Sequence, residues 1–180
     1  MIIFDTETTG LAKAKAARLS DQPQIIEFAA IKLDDTTLDE VSRLEFLCNP
    51  GVPLEPVIVK ITGINDSMLK GKKPFAGHLE DLADFWRGEK YSVAHNHAFD
   101  SNMMDFELSR LEKVSKFPWC SNQVCTVDAS YPFKNFRLSL TKLHHHLFGV
   151  DFPSAHRAMA DVEGLTRCTI ELIRQGYIKL

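Results

Sequence analysis

The sequence lacks several features that would assign it to common classes of protein. No apolar run approaches the length that a membrane-spanning helix requires, so an integral membrane protein is not expected. No internal repeat or low-complexity segment is present. The cysteines form no C-x-x-C pair, which argues against a zinc ribbon or a disulfide framework and favours reduced thiols at Cys48, Cys120, Cys125 and Cys168.

The composition indicates one globular domain covering residues 1–180. The 180 residues are 44% hydrophobic and 25% charged, values typical of a soluble domain with its own core. The apolar start at Met1 has no basic leader, so we expect a strand and not a signal peptide, and a cytoplasmic location. The net charge of −3 argues against a nucleic-acid partner, unless metal-bound acids make the balance positive.

Apolar and alternating segments predict a mixed α/β fold. Strands are predicted from Met1, over 25–33 and over 41–48, and the polar link at 34–37 indicates an antiparallel start to the sheet. Strands at 91–94 and 124–127 then alternate with helices at 75–86, after Asp100, at 138–147 and at 155–174. This order predicts a sheet with helices on its faces.

Two carboxylates follow the first predicted strand. Asp5 and Glu7 stand two residues apart, so both project from the same face of a strand, and their mutual repulsion favours a bound cation. Thr8, Thr9 and Gly10 then predict a turn that brings hydroxyl and backbone N–H groups nearby. Alone the pair is a weak signal, because acids at strand ends are commonly solvated turn residues.

Two further acids occupy positions that suggest the same site. Asp100 lies between a predicted strand and helix, where α/β proteins place functional groups, although the local sequence alone favours a helix-capping role. Asp161 precedes Leu165, Cys168 and Leu172 at helical spacing, which places it on the core-facing stripe of the last helix. A buried carboxylate needs a partner, and no Lys or Arg lies on that stripe, so a metal ion would explain both acids.

Histidines occur in two segments, and only one of these is a candidate for the functional site. His156 lies five residues before Asp161, about one helical turn away, and could face the same site, although a lone histidine more often caps or packs. His144, His145 and His146 point about 100° apart on a helix and cannot chelate one ion, so we expect them at the surface. Only His156 is therefore assigned to the candidate site.

The segments that hold these residues resemble three successive motifs of a known family. In order they are Phe4–Gly10, His95–Asp100 and His156–Asp161. They resemble the DEDDh family of 3′-to-5′ exonucleases, the DnaQ-like type of the ribonuclease H-like superfamily. Asn49-Pro50 and residues 61–64 also resemble family landmarks. The resemblance implies an α/β fold with a ribonuclease H-like mixed β-sheet, antiparallel in its first strands and then parallel, flanked by helices.

The resemblance also implies roles for individual residues. Asp5, Glu7 and Asp161 would bind two metal ions directly, Asp100 would act directly or through water, and His156 would be the general base. These five residues would together be catalytic. The pocket for the 3′-terminal nucleotide would be lined by Thr6, Thr9, Ile64, Asn96 and Phe99. Hard oxygen ligands without thiolates favour Mg²⁺ or Mn²⁺ over zinc.

The expected activity is metal-dependent hydrolysis of phosphodiester bonds from the 3′ end, with release of nucleoside 5′-monophosphates. DNA is the favoured substrate, with single-stranded or frayed 3′ ends preferred, and trimming of RNA or oligoribonucleotides is the main alternative. A non-catalytic nucleic-acid-binding module is a third hypothesis, which the complete set of acids and the histidine disfavours.

The expected partner is nucleic acid and not a membrane. A polymerase partner is compatible with the family but not indicated, because the chain ends at Leu180 directly after the last predicted helix. Six basic residues are candidates for contacts with the nucleic-acid backbone, and equally for solvated surface: Lys13, Lys15, Arg18, Lys134, Arg137 and Arg157.

Overall fold

One mixed sheet forms the centre of the fold. A computed structural model of the chain describes residues 1–14, 18–134, 137–150, 152 and 156–180. Within them the sheet has the order β3-β2-β1-β4-β5. The strands are β1 Ile2–Thr8, β2 Ile25–Leu33, β3 Glu40–Leu47, β4 Tyr91–Ala94 and β5 Asn122–Cys125. The first three strands pair antiparallel, and β4 and β5 continue the sheet in parallel, which confirms the predicted mixed sheet.

Helices cover both faces of this sheet. They are α1 Pro56–Thr62, α2 Asp66–Leu69, α3 Leu79–Trp86, α4 His97–Arg110, α5 Thr126–Lys134, α6 Leu140–Phe148 and α7 Ala158–Arg174. The apolar side chains of α3 and α4 pack on one face of β1 and β2, and those of α7 pack on the other. No helix in the described ranges is long and apolar enough to span a bilayer.

Local sequence signals explain where α1 and α2 begin and end. Pro56 occupies the first helical position of α1, where its missing N–H costs nothing. Gly63, at φ 71°, ends the helix and donates its N–H to the carbonyl of Val59. Asn65 then caps α2, because its side chain accepts the N–H of Met68 at 3.2 Å.

Two predictions made from sequence are wrong. The strand expected at 124–127 ends at Cys125, and α5 begins at Thr126, because a short apolar run suits either structure and Pro132 inside α5 concealed the helical pattern. His144 is fully buried and donates from Nδ1 to the carbonyl of Val150 at 2.8 Å, whereas the two histidines after it are exposed as expected.

The geometry of β1 creates a site at its carboxyl end. Ile2 and Phe4 pack on the α3 and α4 side, and Ile3 packs on the α7 side. The same alternation directs Asp5 and Glu7 toward α7. Pairing with β4 covers only Ile2 and Ile3, so the second half of β1 faces the start of α4 without a neighbouring strand on that side. Functional groups in α/β proteins gather at such a place.

Candidate active site

Asp5 and Glu7 are acids in a low-dielectric environment, which disfavours their charged forms. Burial raises the pKa of Asp5 well above its ordinary value, and the charges of Asp100, Asp161 and Glu7 raise it further. Burial also raises the pKa of Glu7 to about 8, with Asp161 and Glu27 as the next contributors. Neither carboxylate is stable as a bare anion here, so each requires a proton or a cation.

The first turn of α4 brings Asp100 to the other edge of β1. Its side chain is 2% exposed, and Thr6 binds it twice, through the backbone N–H at 3.0 Å and the hydroxyl at 2.7 Å, both to Oδ1. Burial raises the pKa of Asp100 to about 7, although the hydrogen bonds from Thr6 favour its charged form. Asp100 does not cap the helix, because the N-cap position belongs to Asn96.

The segment leading into α7 contributes Asp161 and His156. The backbone N–H of His156 donates to Asp161 Oδ2 at 2.9 Å. Ligand atoms of Glu7, His156 and Asp161 all lie within 4.8 Å of one another. Asp161 is half-buried, and burial raises its pKa, while the side chain of His156 is exposed to solvent. The structure therefore brings a solvent-exposed imidazole close to Glu7 and Asp161.

The negative charge of these four acids is not balanced by basic side chains in the described part of the chain. Within the described ranges, no Lys or Arg makes an ion pair with any of the four acids. Arg157 lowers the pKa of Glu7 slightly, yet its guanidinium binds Glu27. Four uncompensated carboxylates with oxygen donors only are the kind of site that binds hard divalent cations.

Three of the predicted nucleotide-binding residues lie at accessible positions. Thr9 is half-buried and its hydroxyl accepts the backbone N–H of Gln24 at 3.0 Å. Phe99 is half-buried in the first turn of α4. Asn96 is exposed and adopts φ 74°, a left-handed conformation that asparagine tolerates better than most residues.

The side chains of the other two, Thr6 and Ile64, are not available to a nucleotide in this structure. Thr6 is 5% exposed, and its hydroxyl is committed to Asp100. Ile64 is fully buried, in a cluster with Ile26, Leu54 and Leu69. The hydroxyl of Thr6 holds an acid in place and the side chain of Ile64 belongs to the core, while their assignment to the nucleotide pocket stays a prediction.

An open groove of about 680 Å³ extends from the turn after β1 to α1. Thr9 and Gly10 form its end nearest the acids, and residues 20–24 form part of its wall. Leu11, Val57 and Ile61 are 78%, 51% and 48% exposed, although all three are apolar. Sequence reasoning chose Ile64 for the nucleotide pocket and missed Ile61. The segment from α1 to Ile64 is too short to show a periodicity that would tell the outward Ile61 from the inward Ile64.

A second omission from the sequence prediction is Glu27. It is 1% exposed in β2, directly opposite Glu7 in the strand register, and binds Arg157. One signal was available, because a single acid within the otherwise apolar run of β2 cannot be buried without a partner.

Three of the six candidate phosphate-binding residues form ion pairs with acids of the protein. Arg18 pairs with Asp21, Arg137 with Asp128, and Arg157 with Glu27. Lys13 is exposed at the groove. Lys15 and the side chain of Lys134 lie outside the described residues.

Two histidines of the second motif, His95 and His97, are hydrogen-bonded to other residues of the fold. His95 Nε2 donates to the carbonyl of Leu138 at 3.0 Å while Nδ1 lies 2.9 Å from the Thr126 hydroxyl. His97 Nε2 lies 2.9 Å from the Ser92 hydroxyl. Burial lowers the pKa of each to about 4, so both rings are neutral at physiological pH.

Comparison with known proteins shows which family the chain resembles. The family described as Exonuclease matches residues 2–168 of the chain. The chain belongs to this exonuclease family. Among curated relatives, the "DNA polymerase III PolC-type" of Listeria innocua serovar 6a is 33% identical over 179 residues, and that of Bacillus subtilis is 31% identical over 184. The alignments cover 97% and 99% of this chain, which spans only 11% and 12% of those polymerases.

Solved exonuclease structures share the fold. "Exonuclease X in complex with 5′ overhanging duplex DNA" superposes with a TM-score of 0.69 at 23% identity, covering 99% of this chain and 93% of that one. The nuclease domain of 3′hExo, "a DEDDh family member, bound to rAMP", gives a TM-score of 0.77 at 17% identity, with coverage of 97% and 92%. These similarities confirm the ribonuclease H-like fold that the motifs predicted.

Proposed function

We propose that residues 1–180 act as a single metal-dependent 3′-to-5′ exonuclease domain that releases nucleoside 5′-monophosphates from DNA. The observation that carries this proposal is the cluster of four carboxylates with raised pKa values and no basic partner in the described chain. β1, α4 and α7 each contribute to it, and the exposed His156 lies at its open side. An ordinary structural acid cluster would have acquired arginines or lysines.

The donor set fits two Mg²⁺ or Mn²⁺ ions. Asp5, Glu7 and Asp161 would hold them directly, and Asp100 would do so directly or through water. All these donors are carboxylate oxygens, which suit hard divalent cations, and burial favours any ligand that cancels their charge. When bound, such a pair of ions activates a water molecule and stabilises negative charge on the leaving 3′-oxygen.

The protein's own residues would then move a proton and hold the acids in place. His156 is exposed next to Glu7 and Asp161, so its neutral imidazole can accept a proton from the attacking water and release it to solvent. Thr6 fixes the carboxylate of Asp100 with two hydrogen bonds, which prevents it from rotating away. The catalytic set is therefore Asp5, Glu7, Asp100, His156 and Asp161.

The apolar groove would receive the 3′ end of the strand. Leu11 and Ile61 expose hydrocarbon beside Thr9, and Asn96 and Phe99 lie at the start of α4. A base that enters this groove must first leave its pair, and unpairing costs free energy. Single-stranded or frayed 3′ ends should therefore be degraded faster than paired blunt ends.

DNA is the favoured substrate because the matched relatives are named as DNA polymerases. RNA is the alternative, since one solved neighbour is titled "3′-end specific recognition of histone mRNA stem-loop by 3′-exonuclease". A binding-only module is disfavoured by the complete set of acids. A cytoplasmic location stays a prediction from sequence, and a polymerase partner stays possible but is not indicated by the sequence.

The test uses 5′-labelled oligonucleotides in matched DNA and RNA sets, each as a single strand, a blunt duplex and a duplex with a mismatched 3′ end. We expect a ladder that shortens from the 3′ end in Mg²⁺ or Mn²⁺, fastest on unpaired DNA, and no cleavage in EDTA. Asp5→Asn serves as the inactive control. Cleavage that persists in EDTA would contradict the metal site, and binding of oligonucleotides without any cleavage would favour the binding-only hypothesis.

A further inference from the structure

Glu27 is a buried carboxylate one strand away from the acids of the active site. It lies in β2 directly opposite Glu7 and is 1% exposed. Because strand partners in register share a face, its side chain projects toward α7, as those of Asp5 and Glu7 do. Its charge raises the pKa values of these two residues. A residue that only worsens the repulsion in the site requires another reason to be there.

Every hydrogen bond that Glu27 accepts in the described structure comes from the first residues of α7. Arg157 Nε lies 3.1 Å from both carboxylate oxygens, and Nη2 lies 2.6 Å from Oε1. The backbone N–H of Ala158 donates to Oε2 at 2.9 Å. Such a forked, charge-assisted arrangement fixes orientation as well as distance.

These contacts replace the cap that α7 lacks in its own sequence. Arg157 occupies the N-cap position and makes no side-chain cap hydrogen bond, so Glu27 supplies the acceptor for an N–H group at the helix start. Asp161 accepts the N–H of His156. Residues 156–158 are thereby held between two carboxylates, one from β2 and one from the first turn of α7.

The conformation of His156 makes this support necessary. Its φ is 74°, in the left-handed region that a histidine adopts only at a cost in free energy. A backbone under that strain relaxes unless the surrounding contacts determine it. Relaxation would move the imidazole away from Glu7 and Asp161, to which it now lies close.

We propose that Glu27 is a positioning residue that fixes the imidazole of His156 over the acids, acting through Arg157 and the N–H of Ala158. The inference rests on the proposed function, in which His156 is the general base. It assigns Arg157 to the support of His156 and not to contacts with the nucleic-acid backbone.

The experiment compares Glu27→Gln, which keeps the shape of the side chain, with Arg157→Gln, which removes the guanidinium on the other side of the ion pair. Arg43→Gln is the matched control, because Arg43 also joins the sheet to α7, through Glu163 at 3.0 Å, but at the exposed side of the helix. Both test variants should lower kcat by about 10–100-fold with KM little changed, whereas the control should stay within about twofold. Melting curves verify that each variant is folded at the assay temperature.

A double-mutant cycle separates positioning from a general structural effect. In a His156→Ala background, Glu27→Gln should change kcat by less than about threefold, because the group that it positions is absent. An equal loss in both backgrounds, or a kcat of Glu27→Gln near that of the parent, would overturn the proposal. Opposite effects of Glu27→Gln and Arg157→Gln on kcat would also overturn it, since they would indicate that the pair acts only through its charge.

A second readout does not depend on nuclease activity. The NMR signals of the His156 imidazole should shift or broaden in Glu27→Gln and Arg157→Gln and should match the parent in Arg43→Gln. Unchanged signals in the two test variants would overturn the positioning role. A parent that cuts no nucleic acid but shows the expected shifts would instead contradict the proposed function and leave the positioning role standing.

Discussion

Buried carboxylates in this protein form two groups that differ in their partners. Glu27 and Glu107, 1% and 6% exposed, each bind an arginine and a backbone N–H group. The second group binds no basic side chain in the described part of the chain and consists of Asp5, Glu7, Asp100 and Asp161. Burial is common to both groups, so burial alone does not identify a functional acid.

The paired acids connect elements of the fold. Glu27 joins β2 to the start of α7, and Glu107 of α4 accepts the N–H of Ile25 at 3.0 Å. Arg110, which pairs with Glu107 at 3.2 Å, also donates to three backbone carbonyls, those of Leu19, Gln22 and Pro23, and the last two residues line the groove. A buried acid that satisfies an arginine and an N–H group supports structure, whereas one left without a cation is prepared to bind one.

The largest expected effect separates the two groups by activity. Asp5→Asn should reduce cleavage below detection while its melting temperature stays at or above that of the parent, because a repelled charge is removed. Glu107→Gln should retain turnover per folded molecule but lose about 1–3 kcal/mol of unfolding free energy, because Arg110 loses its carboxylate partner and keeps only its backbone carbonyls. Oligonucleotide cleavage and chemical denaturation measure both. Equal losses of activity in Asp5→Asn and Glu107→Gln would contradict the distinction between unpaired and paired acids.

The next effect concerns His156. His156→Ala should lower kcat by about 10²–10⁴-fold with little change in KM, because a proton acceptor is lost and substrate contacts are kept. His145→Ala, at an exposed position of α6, is the control. A His156→Ala enzyme with parental turnover would indicate another base.

A smaller effect should appear in the pH dependence of stability without metal. The carboxyls of Asp100 and Glu7 have folded pKa values of about 7 and about 8, above their ordinary values of 3.8 and 4.5. A raised folded pKa stabilises the protein fully below the ordinary value, and this stabilisation is lost as pH rises through the folded value. In EDTA the melting temperature should therefore fall between pH 4.5 and about 8. Glu7→Gln should flatten this slope, Arg43→Gln should keep it, and a parent whose melting temperature rises over this range would refute the account.

The unpaired acids could be predicted from sequence because regular geometry brings them together. Alternation along β1 places Asp5 and Glu7 on one face, the junction of β4 and α4 delivers Asp100, and helical periodicity directs Asp161 inward. These rules operate over a few residues. The helices on the faces of the sheet follow from equally local patterns.

The paired acids and the groove depend on contacts that no local rule describes. Glu27 and Arg157 are separated by 130 positions in the chain, so their pairing appears only in the folded protein. The choice between Ile61 and Ile64 as the outward isoleucine depends on how α1, one of the shortest helices described, sits on the core. α5 escaped prediction because Pro132 and a short apolar run favour a strand or a turn as much as a helix.

The most direct test of the unpaired acids is the thermal stability of parent and Asp161→Asn at pH 8, each in EDTA and in Mn²⁺. Asparagine keeps an acceptor for the N–H of His156 and removes one charge from the repelling cluster. We expect the variant to melt at a higher temperature than the parent in EDTA, and Mn²⁺ to stabilise the parent more than the variant, because a ligand stabilises in proportion to its affinity for the folded state. A variant that melts at a lower temperature than the parent in EDTA, with equal stabilisation of both proteins by Mn²⁺, would contradict the assignment of these acids to a metal site.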